Sequence, residues 1–160
     1  MVGAFKADIR VQSEAFDAAA ETAKLSDGRT DIGAVVGFTG LCRDEDGRLA
    51  ALELEHYPGM AQAQIARIGD EAAKRWPLYG LVVIHRYGVI EAGQPIVLVA
   101  AASSHRQAAF EAASFVMDYL KTRAPFWKRE HLTNGTLGDW VDAKEADDEA
   151  EARWATTAPR

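Results

Sequence analysis

The sequence has one cysteine, no long apolar run and no excess of positive charge, and each shortage excludes a class of protein. Cys42 is alone among 160 residues, which excludes an internal disulfide and a zinc site built from several cysteines. No segment approaches the ~18 uninterrupted apolar residues of a membrane-spanning helix, and residues 1–10 lack the apolar region of a secretory signal. We therefore expect a cytoplasmic protein with no membrane segment.

The net charge and the length narrow the class further. A formal net charge of -6 argues against a nucleic-acid-binding protein that works by bulk charge. A chain of 160 residues, 48% of them hydrophobic, has the size of one globular domain with a buried core. No repeat and no linker interrupts it. The sequence predicts a single domain over residues 1–160, with a core over about 5–154 and a frayed tail over 155–160.

Apolar periodicity predicts strands that alternate with helices. Strands are expected over 4–12, 32–42, 49–57, 81–87 and 96–102, and helices over 14–24, 58–76, 105–124 and 143–154. Asp46-Gly47 is a turn dipeptide, so the polar segment 43–48 is expected to join two antiparallel strands. This order of elements predicts an α+β fold.

Serines mark the expected starts of two helices, because a serine side chain can accept a hydrogen bond from a free first-turn amide. Ser13 is the predicted cap of the first helix, which is expected to bury Phe16, Ala19, Ala20 and Ala23. The predicted cap of the helix over 105–124 is Ser103 or Ser104. Apolar residues at 109, 110, 112, 113, 116, 117 and 120 would cover most of the girth of that helix.

Residues 117–131 concentrate positive charge in an otherwise acidic chain. The cations are Lys121, Arg123, Lys128 and Arg129, and they surround Pro125, Phe126 and Trp127. Cations gathered against the sign of the whole molecule indicate a local anion site. Pro125 is expected to end the preceding helix, and an extended continuation would place Phe126, Lys128 and Glu130 on one face. Lys121 and Lys128 would then converge on one cleft, while a solvated basic turn with core aromatics is the alternative.

A second candidate anion site lies at the start of the same helix, at Ser104-His105-Arg106. Free amides and the helix dipole favour an anion there, and Arg106 can bind a phosphate with two parallel hydrogen bonds. A routine cap followed by a solvated first turn is the alternative. Arg106 and Lys121 are fifteen residues apart, or roughly 22 Å along one helix. If both serve one small ligand, the site must be shared by the two chains of a symmetric dimer.

The remaining candidate functional residues give weaker indications of a site. The apolar stripe through Phe110 and Met117 extends to Lys121, so this lysine either reaches the solvent along an apolar wall or serves a site. His56 and His85 fall within predicted strands and are most simply core or interstrand residues. No histidines or carboxylates have a metal-binding spacing, and the glycines at 33, 37 and 40 do not form a dinucleotide-binding loop.

Four segments together resemble the large, catalytic subunit of molybdopterin synthase, over roughly residues 5–154. They are Phe38-Thr39-Gly40, Leu54 to Met60, Ser104-His105-Arg106 and Met117 to Glu130. The resemblance implies an α+β domain of the hammerhead type with an additional antiparallel β-sheet. It also implies a sulfurtransferase of molybdenum cofactor biosynthesis, which converts cyclic pyranopterin monophosphate to molybdopterin without a permanently bound cofactor. The two sulfurs come from the C-terminal Gly-Gly thiocarboxylate of a small ubiquitin-like subunit, and two large subunits form a homodimer within a heterotetramer.

The resemblance also assigns residues by position. Lys121 and Lys128 correspond to catalytic lysines, which we expect to neutralise the thiocarboxylate and the developing oxyanions. The positions that correspond to substrate-binding residues are Phe38, Leu41, Cys42, Arg43, His105, Arg106, Met117, Arg129 and Glu130. His105 and Arg106 are expected to come from the neighbouring protomer. Leu41 stands where the family often has a basic residue, which predicts a less basic phosphate pocket.

A non-catalytic dimeric module that binds an anion or a phosphate is the alternative function. It would need Arg43, His105 and Arg106 but not Lys121 and Lys128.

Overall fold

The computed structural model describes residues 4–142 and 154–155, and within them seven strands and three helices follow one another. The strands are β1 (Lys6–Gln12), β2 (Ala34–Leu41), β3 (Leu49–His56), β4 (Leu78–Arg86), β5 (Gly88–Glu91), β6 (Pro95–Ser103) and β7 (Phe126–Leu132). The helices are α1 (Ala18–Ala23), α2 (Met60–Arg75) and α3 (Arg106–Arg123). Residues 143–153, most of the predicted C-terminal helix, lie outside the described residues.

Four strands form a mixed sheet in the order β1-β4-β6-β2. β1 runs parallel to β4, and the other neighbours are antiparallel. β4 and β6 are buried along most of their length because both faces of the sheet are covered. Ile65 of α2 and Phe115 of α3 belong to the core on one face, while Phe16 and Leu25 pack on the other. The prediction that 96–102 forms a strand apolar on both faces, at the centre of a sheet, is confirmed.

Three strands form a second, antiparallel sheet in the order β5-β3-β7. β3 pairs with β7 from Leu49 opposite Leu132 to His56 opposite Phe126. The predicted α+β class with an additional antiparallel sheet is confirmed. The sequence did not predict β5, which has only four residues, of which one is buried.

The segment 43–48 does not close a hairpin, and the prediction that it joins two paired strands is wrong. β2 pairs with β6, whereas β3 pairs with β5 and β7, so the segment crosses from one sheet to the other. The turn itself is where the sequence predicts it, because Asp46 and Gly47 have φ of 61° and 82°. The crossing places the segment 43–48 beside β7, which carries Lys128.

The first helix is shorter than predicted and begins at a different residue. Asp17, not Ser13, caps α1, because its carboxylate accepts a hydrogen bond from the Ala20 amide at 3.1 Å. No residue of α1 is buried, so the predicted burial of its alanines is wrong. Phe16 packs against the sheet from the loop just before the helix.

The start of α3 also differs from the prediction. Ser103 ends β6, and its buried hydroxyl donates to the Pro77 carbonyl at 2.9 Å. The N-cap residue is His105, whose side chain makes no capping hydrogen bond, so the predicted serine cap is wrong. Phe110 is 60% exposed, and Phe115 is the large side chain that α3 buries fully. None of the helices in the described ranges is long and apolar enough to cross a membrane.

Trp154 joins the core formed by α2 and α3. Its ring packs edge-on against Trp76 and Phe115, with centroids 5.7 and 5.6 Å apart. The indole N–H donates to the Asp118 carboxylate at 2.6 Å, and the Arg75 guanidinium donates to the Trp154 carbonyl at 2.9 Å. Trp154 therefore anchors α3 at Asp118, three residues before Lys121.

Candidate functional site

A cavity of about 210 Å³ is lined by residues of both sheets and of the C-terminal half of α3. Its walls are largely aliphatic and aromatic, while Lys121, Lys128, His85 and Asp142 supply polar groups. The remaining lining residues are Phe38, Gly40, Leu41, Leu52, Leu54, Ile96, Val97, Met117, Leu120, Ala124, Phe126 and Val141. Charges in such an apolar pocket interact more strongly than they do in water.

The two lysines reach this cavity from different elements. Lys121 lies in the last turn of α3, which ends because Ala124, before Pro125, is extended with ψ of 124°. The chain continues directly into β7, where Phe126 and Lys128 line the same cavity. The predicted break and the convergence of Lys121 and Lys128 on one cleft are thus present in the structure.

The opposite face of β7 carries Arg129, which is not among the residues that line the cavity. Its guanidinium donates to the Glu53 carboxylate at 2.8 Å and lies over the Trp140 ring at 4.6 Å. The His131 imidazole also bonds Glu53 at 2.8 Å. The hydrogen bonds from Arg129 and, second, from His131 lower the pKa of Glu53. Within this chain, the Arg129 charge is therefore already paired.

Glu130 lies beside Lys128 in an adjoining depression that also contains Arg43. Its carboxylate accepts a hydrogen bond from Arg48 at 2.8 Å, and Arg48 also pairs with Glu45. The hydrogen bond to Glu130 is the largest cause of the raised pKa of Arg48. Arg48 thus offsets two carboxylates next to Arg43 and Lys128, which favours binding of an anion there.

Arg43 connects the two lysines along the mouth of the cavity. One depression contains Arg43 with Lys121, and another contains it with Lys128. Leu41, 57% exposed, and Phe38, 42% exposed, form an apolar rim between these cations. Cys42 lies below the rim at 2% exposure, and burial is the main cause of the raised pKa of its thiol. A protonated, buried thiol is a poor nucleophile.

His105 and Arg106 lie at the far end of α3 and line none of these depressions. Both are exposed, and α3 extends over 18 residues between Arg106 and Arg123. One chain therefore does not bring these two residues to the lysines. A site that uses all four side chains requires a second copy of the chain.

His85, which the sequence predicts to be a core or interstrand residue, is buried in β4 and also lines the cavity, which the sequence did not predict. Its ring stacks on Phe126 with centroids 3.8 Å and planes 15° apart. Burial, the largest cause, lowers the pKa of His85 to about 4. No local signal marks it as a cavity residue, because it follows the apolar run of residues 81–84 in the same strand. Across the described residues, no group of three or more His, Cys, Asp and Glu side chains is placed to hold a metal ion.

Comparisons with known proteins identify the family of this chain. A family model described as "MoaE protein" matches residues 11–123. A protein of Mesorhizobium japonicum named "Molybdopterin synthase catalytic subunit" is 65% identical over 150 residues, which are 94% of each chain. The solved MoaE structure of Burkholderia ambifaria has a TM-score of 0.81 at 46% identity and covers 94% of this chain and 99% of its own. The molybdopterin synthase structure of Staphylococcus aureus has a TM-score of 0.74 at 29% identity, covering 83% and 96%. The chain belongs to the MoaE family.

Proposed function

We propose that this protein is the catalytic subunit of a molybdopterin synthase, a sulfurtransferase that converts cyclic pyranopterin monophosphate to molybdopterin. The observation that carries the proposal is the meeting of Lys121 and Lys128 in one largely apolar cavity. It is supported by 65% identity to a protein named as such a catalytic subunit. The substrate is the pterin itself, and no permanently bound cofactor is part of the proposal.

The sulfur donor in this proposal is the C-terminal Gly-Gly thiocarboxylate of a small ubiquitin-like subunit. Its sulfur attacks a carbon of the pterin side chain and displaces an oxygen substituent, which leaves as water or as a phosphate oxygen. A C–S bond thus forms as a C–O bond breaks, and the two molecules are joined through a thioester. Water then cleaves the acyl–sulfur bond, which releases a carboxylate on the small subunit and leaves the sulfur on the pterin. A second thiocarboxylate supplies the second sulfur in the same way.

In this proposal Lys121 and Lys128 stabilise charge and transfer protons during the reaction. Their ammonium groups neutralise the thiocarboxylate and stabilise the oxyanion that forms when water attacks the thioester. One of them passes protons during these steps. The apolar walls strengthen these interactions because they exclude water. The buried Cys42 thiol has no part in the chemistry, since the sulfur belongs to the small subunit.

The phosphate of the pterin binds at the mouth of the cavity in this proposal. Arg43 supplies one cation there, and Leu41, Phe38 and Met117 contact the apolar parts of the substrate. His105 and Arg106 come from a second copy of the chain, so the active unit is a homodimer with a small subunit on each chain. We place this heterotetramer in the cytoplasm.

A reconstitution assay tests the function. Purified protein, thiocarboxylated small subunit and cyclic pyranopterin monophosphate are mixed, and molybdopterin is measured as its fluorescent oxidation product. Lys121→Ala and Lys128→Ala are each expected to lower turnover roughly 10²- to 10⁴-fold. Lys74→Ala, which removes an exposed lysine of α2, is the matched control and is expected to keep wild-type turnover. Full activity of Lys121→Ala would contradict the assignment.

Mixing two inactive variants tests the shared site. In a dimer of one Lys121→Ala chain and one Arg106→Ala chain, one of the two sites contains both native residues. Random mixing is therefore expected to restore roughly a quarter of wild-type activity. If each site is built from one chain, the mixture stays inactive.

The alternative of a non-catalytic anion-binding dimer is not favoured. Such a module has no need of two lysines in an apolar cavity, and the relatives are named catalytic subunits.

A further inference from the structure

β2 forms one edge of the four-stranded sheet, and in the described ranges no strand pairs with its outer side. Its sequence, AVVGFTGL, includes no charged residue and no proline. β1, the opposite edge, carries Lys6, Asp8 and Arg10, and charged side chains of this kind keep a sheet edge from pairing with another chain. β2 has no such protection, so the amide and carbonyl groups of its outer side are available to a further strand.

One face of α3 is exposed beside this edge. It consists of residues spaced by three or four positions, namely Arg106, Phe110, Ser114, Met117 and Lys121. α2 packs against a different face of α3, where the Trp76 indole donates to the Glu111 carboxylate at 2.8 Å. Met117 and Lys121 line a cavity together with Phe38 of β2, so the exposed face is on the β2 side. We call the outer edge of β2 and this face of α3 the β2–α3 surface.

The middle of β2 and the middle of the α3 face lie at the same level in the molecule. The start of β2 is tied to the end of β6, because the Gly33 amide donates to the Ser103 carbonyl at 3.0 Å. From this point the centre of β2, at residues 37–38, is about 15 Å along the strand. The centre of the α3 face, at residues 113–114, is about 15 Å along the helix. One two-fold axis perpendicular to the sheet can therefore pass through both centres.

The spacing of strands and helices allows such an axis to join two copies in both layers. Neighbouring antiparallel strands lie about 4.8 Å apart. α3 packs over both β6 and β2, so its axis is set back from the β2 edge by roughly half of that spacing. Two copies paired through β2 would hold their α3 axes roughly 10 Å apart, which agrees with the 8–10 Å between packed helices.

We propose that two copies of this chain join through the β2–α3 surface, with β2 antiparallel to β2 and α3 antiparallel to α3. Arg106 of one copy then lies beside Lys121 of the other, and Phe110 lies beside Met117. The inference rests on the proposed function, in which these two cations serve one substrate, and it adds the surface and the direction that bring them together. Like charges repel, so this end of the interface requires an anion, which the substrate phosphate supplies.

A charge placed on the surface tests whether it is the interface. In analytical ultracentrifugation the wild type is expected to sediment as a dimer, and Phe110→Asp is expected to have half the apparent mass. The matched control is Val89→Asp, which changes an exposed apolar residue of β5 and is expected to stay dimeric. Far-UV circular dichroism checks that both variants are folded. A monomeric wild type, a dimeric Phe110→Asp or a monomeric Val89→Asp would overturn the proposal.

Cross-linking tests the direction of the two helices in a folded protein. Residue 114 lies beside the axis, so a bismaleimide that spans roughly 10 Å is expected to join the two copies of Ser114→Cys. In antiparallel helices the two copies of residue 107 are roughly 20 Å apart, so Gln107→Cys is the control that is expected to stay unjoined. Cys42 is buried, and the wild type gives the background. Equal cross-linking of the two variants would overturn the proposal.

These measurements need no substrate, so the interface and the proposed function can fail separately. If wild-type protein makes no molybdopterin while Ser114→Cys is joined, the proposed function is wrong and the interface stands. An extended tail is the other class of partner that pairs with a sheet edge. If added small subunit abolishes the cross-linking of Ser114→Cys, its tail and not a second copy occupies β2, and the proposal is overturned.

Discussion

Replacing His85 should remove a defined part of the acid sensitivity of the fold. Burial lowers the pKa of His85 from 6.5 to about 4. Between pH 6.5 and about 4 the unfolded chain binds a proton at this residue that the folded chain does not accept. The stabilising effect is thus complete above the unfolded pKa and is lost as the pH falls toward the folded pKa.

The size of this effect follows from the two pKa values. The difference between 6.5 and about 4 corresponds to about 3 kcal/mol of unfolding free energy when the pH is below both values. Near pH 5 the loss relative to neutral pH is already about 2 kcal/mol. The exposed side chains elsewhere contribute far less per residue, because solvent screens them.

Urea unfolding at about pH 7.5 and about pH 5 measures this contribution. The two free energies are compared for wild-type protein, His85→Leu and His85→Gln at one protein concentration. Carboxylates with lowered pKa, such as Glu21 and Glu53, also lose stabilising charge in acid, but they are common to all three proteins and cancel. Both variants are expected to lose about 2 kcal/mol less than wild type between these pH values. An equal loss in all three proteins would refute the account of His85 as a buried, neutral imidazole.

Three further substitutions test the fold. Gly33→Ala would place a Cβ 2.0 Å from the Ser104 carbonyl oxygen and is expected to lower the unfolding free energy by about 1–3 kcal/mol, measured by thermal melting. Gly37→Ala is the control and is expected to be tolerated, because its Cβ would lie 3.5 Å from its nearest neighbour. Trp154→Ala removes a buried indole and is expected to lower the unfolding free energy by about 3–5 kcal/mol, so an unchanged urea midpoint would show that the residue is not docked. Glu53→Gln breaks the part-exposed ion pair with Arg129 and is expected to lower the unfolding free energy by under about 1 kcal/mol at neutral pH. The loss should be smaller in acid, and a larger loss in acid than at neutral pH would contradict the pairing.

The parts of the site that the sequence predicts are local in the chain. Pro125 ends the helix, and the alternation that follows places Phe126 and Lys128 on the same face of β7. Lys121 is only seven residues before Lys128, so one break and one strand determine their meeting. The distance between Arg106 and Lys121 can also be predicted from the sequence, because both residues lie in one helix.

The missed parts depend on contacts between distant segments. Asp46-Gly47 predicts a turn, but only the pairing of β2 with β6 shows that the turn joins two sheets and not two neighbouring strands. Phe110 and Phe115 are both aromatic residues of α3, and the packing of α3 against α2 and β6 decides that Phe115 is buried. His85 and Phe126 are 41 positions apart, and only the packing of β4 against β7 brings their rings together at one cavity.

The most direct measurement of the central claim follows the sulfur itself. Thiocarboxylated small subunit is incubated with the protein and cyclic pyranopterin monophosphate, and the intact mass of the small subunit is recorded over time. We predict that the thiocarboxylate becomes a carboxylate only when the pterin and a protein with both Lys121 and Lys128 are present. A small subunit that binds the protein but keeps its sulfur in the complete mixture would contradict the proposed function.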